Sequence, residues 1–396
     1  MKKHINPDFG PSTTSVWGGE TGPEAFGATV APVYHGVTYA HDEMDAWREV
    51  ALGQRPGHIY SRNTNPTVAQ FEAKVAALEG AEAATSFATG MAAISNTLFT
   101  NLSPGDRVVS ITDTYGGTNK LFIEFLPRFG IEVALCATDD TTRIESEIAA
   151  GCRLLYLETP TNPTLKVLDI RRLSQLAHAV DALVVVDNTF ATPINQRPLA
   201  LGADLVIHSA TKFLGGHSDA MGGVLCGPER LVHQVFHFRE INGASLDPMS
   251  AWLLSRGLRT LALRIERQNR SAMTIADYLA GHPAVEPVFY PGRADHPAHA
   301  VARAQMSGFG GVLSFALSGG EAAMVNVVER LELAHRAASL GSVATLVGPP
   351  ATTSHVELSA SERADAGIPE GLVRYSVGIE DTDDLIADLD QALASL

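Results

Sequence analysis

Hydrophobic positions in the middle of the chain come in short, unbroken runs of branched residues. Longer stretches with a helical period separate them. The runs predict strands over residues 84–89, 106–112, 131–136, 152–158, 182–188, 203–209 and 222–227. Between them a helix opens at Gly90, and others cover residues 118–129, 142–150 and 169–180. Continuous Val, Ile and Leu marks strands buried on both faces, and their alternation with helices marks a mostly parallel α/β sheet. Upstream, Phe71, Val75 and Leu78 form one helical stripe, which Asn65 and Pro66 open and Gly80 closes. Residues 1–62 carry no strong period and are rich in Gly, Pro and Thr. They read as an extended arm, which must lie on something to be ordered.

Beyond residue 248 the alternation relaxes. Residues 249–281 form a helical tract long enough to bridge two domains. Strands follow over 285–291, 310–318 and 372–378, with a helix over 321–331. A last helix starts near Asp381, where Asp381, Thr382, Asp383 and Asp384 offer caps and first-turn carboxylates. The mixture predicts a smaller α+β domain. The expected division is an arm over 1–62, a large α/β domain over 63–258 and a C-terminal domain over 259–396.

Composition narrows the function. The 396 residues are 45% hydrophobic and 18% charged, as in globular proteins of two or three domains. A formal net charge of -15 argues against nucleic acid or an anionic membrane as partner. Cys136, Cys152 and Cys226 share no metal-ligand spacing and read as buried thiols of a reducing compartment. His296 and His299 are joined by no cysteine or carboxylate cluster and read as surface or loop residues, so no metal is expected. The first residues hold no apolar signal segment, and no apolar run approaches membrane-spanning length. A cytoplasmic location is the expectation. There is no G-x-G-x-x-G after the first strand, no G-x-x-x-x-G-K-[ST], no G-x-S-x-G and no H-E-x-x-H.

The candidate chemistry gathers at predicted strand ends, where open α/β sheets bind ligands. One stretch, 203–223, carries a buried run into Ser209, Thr211 and Lys212 and then a glycine-rich turn. A lysine dehydrated there becomes a nucleophilic amine, and the two hydroxyls can hold an anion; the plainer reading is a surface lysine. Asp187 ends a strand of branched residues. It is either a helix cap or the partner of a protonated heterocyclic nitrogen, as pyridoxal phosphate requires. Gly90 and Met91 at a helix start can present N–H groups to a phosphate, or merely make a tight turn. Tyr115 can stack on a flat ring or pack as a loop residue. Arg374, lying between Val373 and Tyr375, either grips a carboxylate or faces solvent.

Taken together, SATKFLGGHSDAMGG, VVVDNTFATPINQRPLALGADLVIHS, YLETPTNPTLKVLDI, IYSRNTNPT and GLVRYSVGIED resemble the Cys/Met-metabolism pyridoxal-phosphate enzymes over nearly the whole chain. That family includes cystathionine γ-synthase, cystathionine γ-lyase and methionine γ-lyase. The resemblance implies a fold-type-I architecture, with a mostly parallel seven-stranded sheet and a smaller α+β C-terminal domain. It implies a homotetramer of two active dimers. Lys212 would form the internal aldimine with pyridoxal 5'-phosphate, Asp187 would pair with the pyridine nitrogen, and Tyr115 would stack on the ring. Gly90, Met91, Ser209 and Thr211 would hold the phosphate, with Tyr60 and Arg62 reaching it from the neighbouring subunit. Arg374, Asn162 and Ser339 would take the substrate carboxylate.

The same resemblance implies a lyase acting on a γ-substituted L-amino acid through a vinylglycine-type intermediate. Water would give a 2-oxo acid and ammonia; a second nucleophile would give γ-replacement of the cystathionine γ-synthase or sulfhydrylase type. Members that handle cystathionine usually carry Glu just before the SLG motif, where this chain has Ala338. Methionine γ-lyases usually carry Cys two residues after the stacking tyrosine, where this chain has Gly117. The aromatic after NTF-x-TP is replaced by Ile194, and the loop after Pro350 also departs from the common pattern. γ-Elimination of homocysteine, methionine, an acylated homoserine or a canavanine-like analogue is the expectation. A non-catalytic ligand-binding protein on the same fold is the alternative of another class.

Overall fold

The fold is that of a computed structural model, which describes residues 9–20, 27–353, 356, 359–365 and 367–396. The loop after Pro350 that departs from the family pattern lies partly outside the described residues.

All seven expected strands of the large sheet form: β1 (Ala83–Phe87), β2 (Arg107–Ile111), β3 (Glu132–Cys136), β4 (Leu154–Glu158), β5 (Leu183–Asp187), β6 (Leu205–Ser209) and β7 (Gly223–Gly227). Their order is β1-β7-β6-β5-β4-β2-β3. Every pairing from β6 to β3 is parallel, whereas β7 runs against both β6 and β1. Side chains alternate between faces, so Tyr156, Val185 and Ile207 meet the helices Gly90–Asn101 and Glu229–Asn242. Leu155, Val184 and Val186 meet the helices Thr141–Ala149 and Ile170–His178 on the other face. Covering both faces is what lets the strands be apolar throughout.

The second sheet holds β8 (Val285–Phe289), β9 (Val312–Leu317), β10 (His335–Arg336), β11 (Leu346–Gly348) and β12 (Leu372–Ser376), in the order β10-β11-β12-β9-β8. Val373 and Tyr375 of β12 enter its core. Arg374 therefore points to the opposite face, toward the large sheet. The expected long helical tract is two helices, Pro248–Leu258 and Leu261–Ala280. The second ties the sheets together. Gln268 donates to the carbonyls of Ser342 and Val377, while the buried Arg264 donates to those of Phe213, Leu214 and Gly257.

Several local expectations need correction. The arm is not extended throughout: it contains the helices Pro11–Trp17 and Met44–Ala51. The first is anchored by Lys74, whose buried amine donates to Val16 O at 2.8 Å and to Glu20 at 3.3 Å. The helix expected over 118–129 begins at Gly116, widens into a π turn over Leu121–Phe125 and tightens into a 3-10 turn before Gly130. Asp381 precedes the last helix without capping it through its side chain, which instead accepts from Arg267. His296 lies in a loop but is buried there, His299 opens the helix His299–Gln305, and Cys152 is only half-buried. Among the described residues no helix is long and apolar enough to cross a membrane.

Asn65 joins the arm to the large sheet. Its side-chain oxygen accepts from Thr67 N and Val68 N, capping the helix Pro66–Glu79, and its Nδ2 donates to Tyr34 O, Ser61 Oγ and Tyr39 OH. Asn65→Ala is expected to lower the unfolding free energy by about 1–2 kcal/mol. It should also speed limited proteolysis within residues 27–62, since one side chain both starts the helix and holds the arm.

Candidate active site

Three neighbouring strands of the large sheet end in polar groups on one face. Glu158 of β4 and Asp187 of β5 are register partners, and Ser209 ends β6. This edge opens onto the N-terminus of the helix Gly90–Asn101. Thr89 caps that helix by accepting from Ala92 N, and the first intrahelical bond is Ala93 N to Thr89 O. The N–H groups of Gly90 and Met91 thus lie ahead of the helix ladder and are free to face an anion. Gly90 is required by close approach: a Cβ there would stand 2.8 Å from Ser209 Cβ. Gly223 is equally constrained, since its Cβ would meet Thr89 O.

Lys212 follows β6 in a turn closed by Lys212 N to Ser209 O and by Gly216 N to Lys212 O. Its Nζ donates to Ser339 Oγ at 3.0 Å. Burial, aided by the Arg374 guanidinium, lowers its pKa to about 8. Arg374 donates to Asn162 Oδ1 and to Ser339 O, both at 3.0 Å. Burial lowers its own pKa to about 10, so it stays cationic at neutral pH. Asp187 accepts from Thr189 N at 3.0 Å and Thr189 Oγ1 at 2.6 Å. Burial raises the Asp187 carboxyl, against the lowering effect of the Thr189 bonds and of His208.

Ten of the expected residues line one cavity of about 340 Å³: Gly90, Met91, Tyr115, Asn162, Asp187, Ser209, Thr211, Lys212, Ser339 and Arg374. Tyr60 and Arg62 do not reach the cavity of their own chain. Tyr60 is exposed beneath the Arg62 guanidinium, and Arg62 O accepts from Ser245 Oγ. Among the lining residues that escaped the sequence reading, Thr189 and Glu158 carry the clearest bonds. Thr189 bonds Asp187 and also accepts from Ser209 N, linking β5 to β6. Glu158 accepts from Tyr115 N at 2.8 Å. A buried run closing on a carboxylate was the signal at Asp187, and the same pattern is present at Glu158.

A family model described as "Cys/Met metabolism PLP-dependent enzyme" matches residues 12–394. The chain belongs to this family. It is 42% identical to L-methionine γ-lyase of Fusobacterium nucleatum subsp. polymorphum, over 98% of this chain and 99% of that one. It is 41% identical to cystathionine γ-lyase of Bacillus subtilis, over 97% and 99% respectively. The crystal structure of cystathionine γ-synthase from Xanthomonas oryzae pv. oryzae superposes with a TM-score of 0.91 at 37% identity, covering 98% of each chain. This member is accordingly a pyridoxal-phosphate-dependent enzyme of the lyase type on the fold-type-I architecture. The cavity fits that cofactor: a glycine-backed helix N-terminus suits a phosphate, a buried carboxylate suits a ring N–H, and a desolvated lysine suits an aldehyde.

The depressed pKa makes a rate prediction. In protein stripped of cofactor, borohydride-trapped attachment of pyridoxal to Lys212 should rise with pH, with a midpoint near 8. A midpoint at the ordinary lysine value of about 10.4 would show that the amine is not desolvated.

Proposed function

We propose that the enzyme carries out γ-elimination on a small, polar γ-substituted L-amino acid: an acylated homoserine, homocysteine or a canavanine-like analogue. Pyridoxal phosphate, when bound, supplies an electron sink for charge developing at the substrate α-carbon. Gly90 and Met91 N–H groups with the Ser209 and Thr211 hydroxyls would hold its phosphate, Asp187 the proton on its ring nitrogen, and Tyr115 one ring face. Arg374, oriented by Asn162 and beside Ser339, would take the substrate carboxylate in a bidentate grip. Lys212, partly neutral near pH 8, would accept the α-proton. Tyr115 or Lys212 would hand a proton to the departing γ-substituent.

The observation that carries the substrate reading is the wall around Lys212. Ala338 lines the cavity where family members handling cystathionine present a carboxylate, so a distal ammonium would go unmet. Gly117 adjoins the Tyr115 ring. A Cβ there would stand 2.8 Å from Met91 Sδ and 2.9 Å from Tyr115 Cε1, so a cysteine would displace one of them. γ-Replacement is the second reading, favoured by the likeness to a cystathionine γ-synthase at nearly full coverage.

The division into an arm over 1–62, a cofactor domain over 63–258 and a C-terminal domain over 259–396 is part of the same proposal. The helix break at Arg259 and Thr260 supports it. The homotetramer is too: Tyr60 and Arg62, turned away from their own cavity, would complete the phosphate site of a neighbouring subunit.

A substrate panel separates the readings. Release of a 2-oxo acid without added nucleophile is expected from an acylated homoserine, homocysteine or canavanine, and little from cystathionine or methionine. Product only with cysteine or sulfide would favour replacement. Ala338→Glu should raise kcat/KM for cystathionine by about tenfold or more relative to the preferred substrate, the scale of one charge-assisted hydrogen bond.

A further inference from the structure

Glu158 and Asp187 form a pair of carboxyl groups that the reaction as described uses only in half. They end adjacent parallel strands as register partners, on the same face. Both are buried, and both line the cavity with Lys212. Adjacent strands lie about 4.8 Å apart. Two ionised carboxylates at that spacing, out of water, repel strongly enough that one of them keeps its proton.

The surroundings decide which. Asp187 accepts two bonds from Thr189 and one, at 3.4 Å, from the Tyr156 hydroxyl. His208, next in β6 to Asp187's register partner Ile207, is itself bonded to buried Glu79 at 2.6 Å and adds positive character from the opposite face of the sheet. Among the described residues Glu158 accepts a single bond, from Tyr115 N. Asp113, the next acidic group, is ion-paired with Lys166 at 2.8 Å and adds to the negative field at Glu158. Lys212 shares the cavity but donates to Ser339, not to either carboxylate.

We propose that Glu158 is a positioning residue that works as a neutral carboxylic acid, fixing the backbone of Tyr115 and leaving the pair's single negative charge on Asp187. Burial drives the Glu158 carboxyl well above the usual carboxylate range, with Asp187 next among the causes. Its oxygen fixes Tyr115 at the first residue ahead of the helix Gly116–Lys120, and so sets where the exposed ring stands over the cavity. The inference rests on the reading that Asp187 serves the ring nitrogen and Tyr115 the ring face.

The test compares Glu158→Gln with Glu158→Ala in the holoenzyme. The amide is a neutral isostere that still accepts from Tyr115 N–H; alanine is not. Glu158→Gln should keep the pH midpoint of the cofactor absorbance unchanged and kcat within about threefold, while Glu158→Ala should lose about tenfold or more with its far-ultraviolet dichroism intact. The infrared difference spectrum of wild type against Glu158→Gln should show the carbonyl stretch of a protonated carboxylic acid at pH 7.5. Three results would overturn the proposal: a midpoint moved by a full unit in Glu158→Gln, a carboxylate band in its place, or an alanine variant as active as wild type. Asp187→Asn is the separate control. If it binds cofactor with an unaltered spectrum, the reading of Asp187 fails whatever Glu158 does.

Discussion

The site depends on desolvation at the carboxyl edge of the seven-stranded sheet. Parallel strands buried on both faces end in Glu158, Asp187 and Ser209, with Lys212 in the turn beyond, and these groups line one cavity. The same burial lowers Lys212 and Arg374 and raises Glu158 and Asp187. A lysine that stayed fully solvated would be a cation and a poor nucleophile. Local compensation then sorts the groups. Thr189 supports the Asp187 anion, Arg374 keeps its charge by bonding to Asn162 and Ser339, and Lys212 is left with a hydroxyl partner.

The second constraint is the seating of the small sheet on the large one. Arg374 belongs to β12, Ser339 to the loop between β10 and β11, and Asn162 to the loop after β4. One guanidinium gathers the three. The Ser314 hydroxyl, on the strand paired with Arg374, donates to Pro163 O at 2.7 Å and fixes the same loop to the small sheet. Beneath them the helix Leu261–Ala280 holds both sides through Arg264 and Gln268. Arg264 has only carbonyl and hydroxyl oxygens as partners, a costly burial that ties the turn after Lys212 to this helix. A close approach at Gly341, whose Cβ would stand 2.7 Å from Phe213 N, adds a steric reason for the SLG turn.

Family membership bounds the chemistry without choosing the substrate. Ten of the residues that the family motifs imply line one cavity, which Tyr60 and Arg62 of the same chain do not reach. Of the departures from the family pattern, Ala338 lines the cavity, Gly117 adjoins the Tyr115 ring, and Ile194 packs against the core.

The sequence by itself determined the seven strands of the large sheet, the helix starts at Asn65 and Gly90 and the residues at the strand ends. Each is local: branched runs favour buried strands, Asn65 and Pro66 start a helix, and Asp187 or Lys212 after an apolar run is visible in a few residues. Only the tertiary structure decided what shares a wall. That Glu158 stands beside Asp187 follows from the β4–β5 register, and that Thr189 links two strands follows from backbone positions distant in sequence. The reversed direction of β7, the two-residue β10 and the arm helix held by Lys74 were likewise out of reach. The reason is one of range: periodicity reports which face of an element is buried, whereas strand direction, register and the pairing of buried charges are set by contacts between residues far apart along the chain.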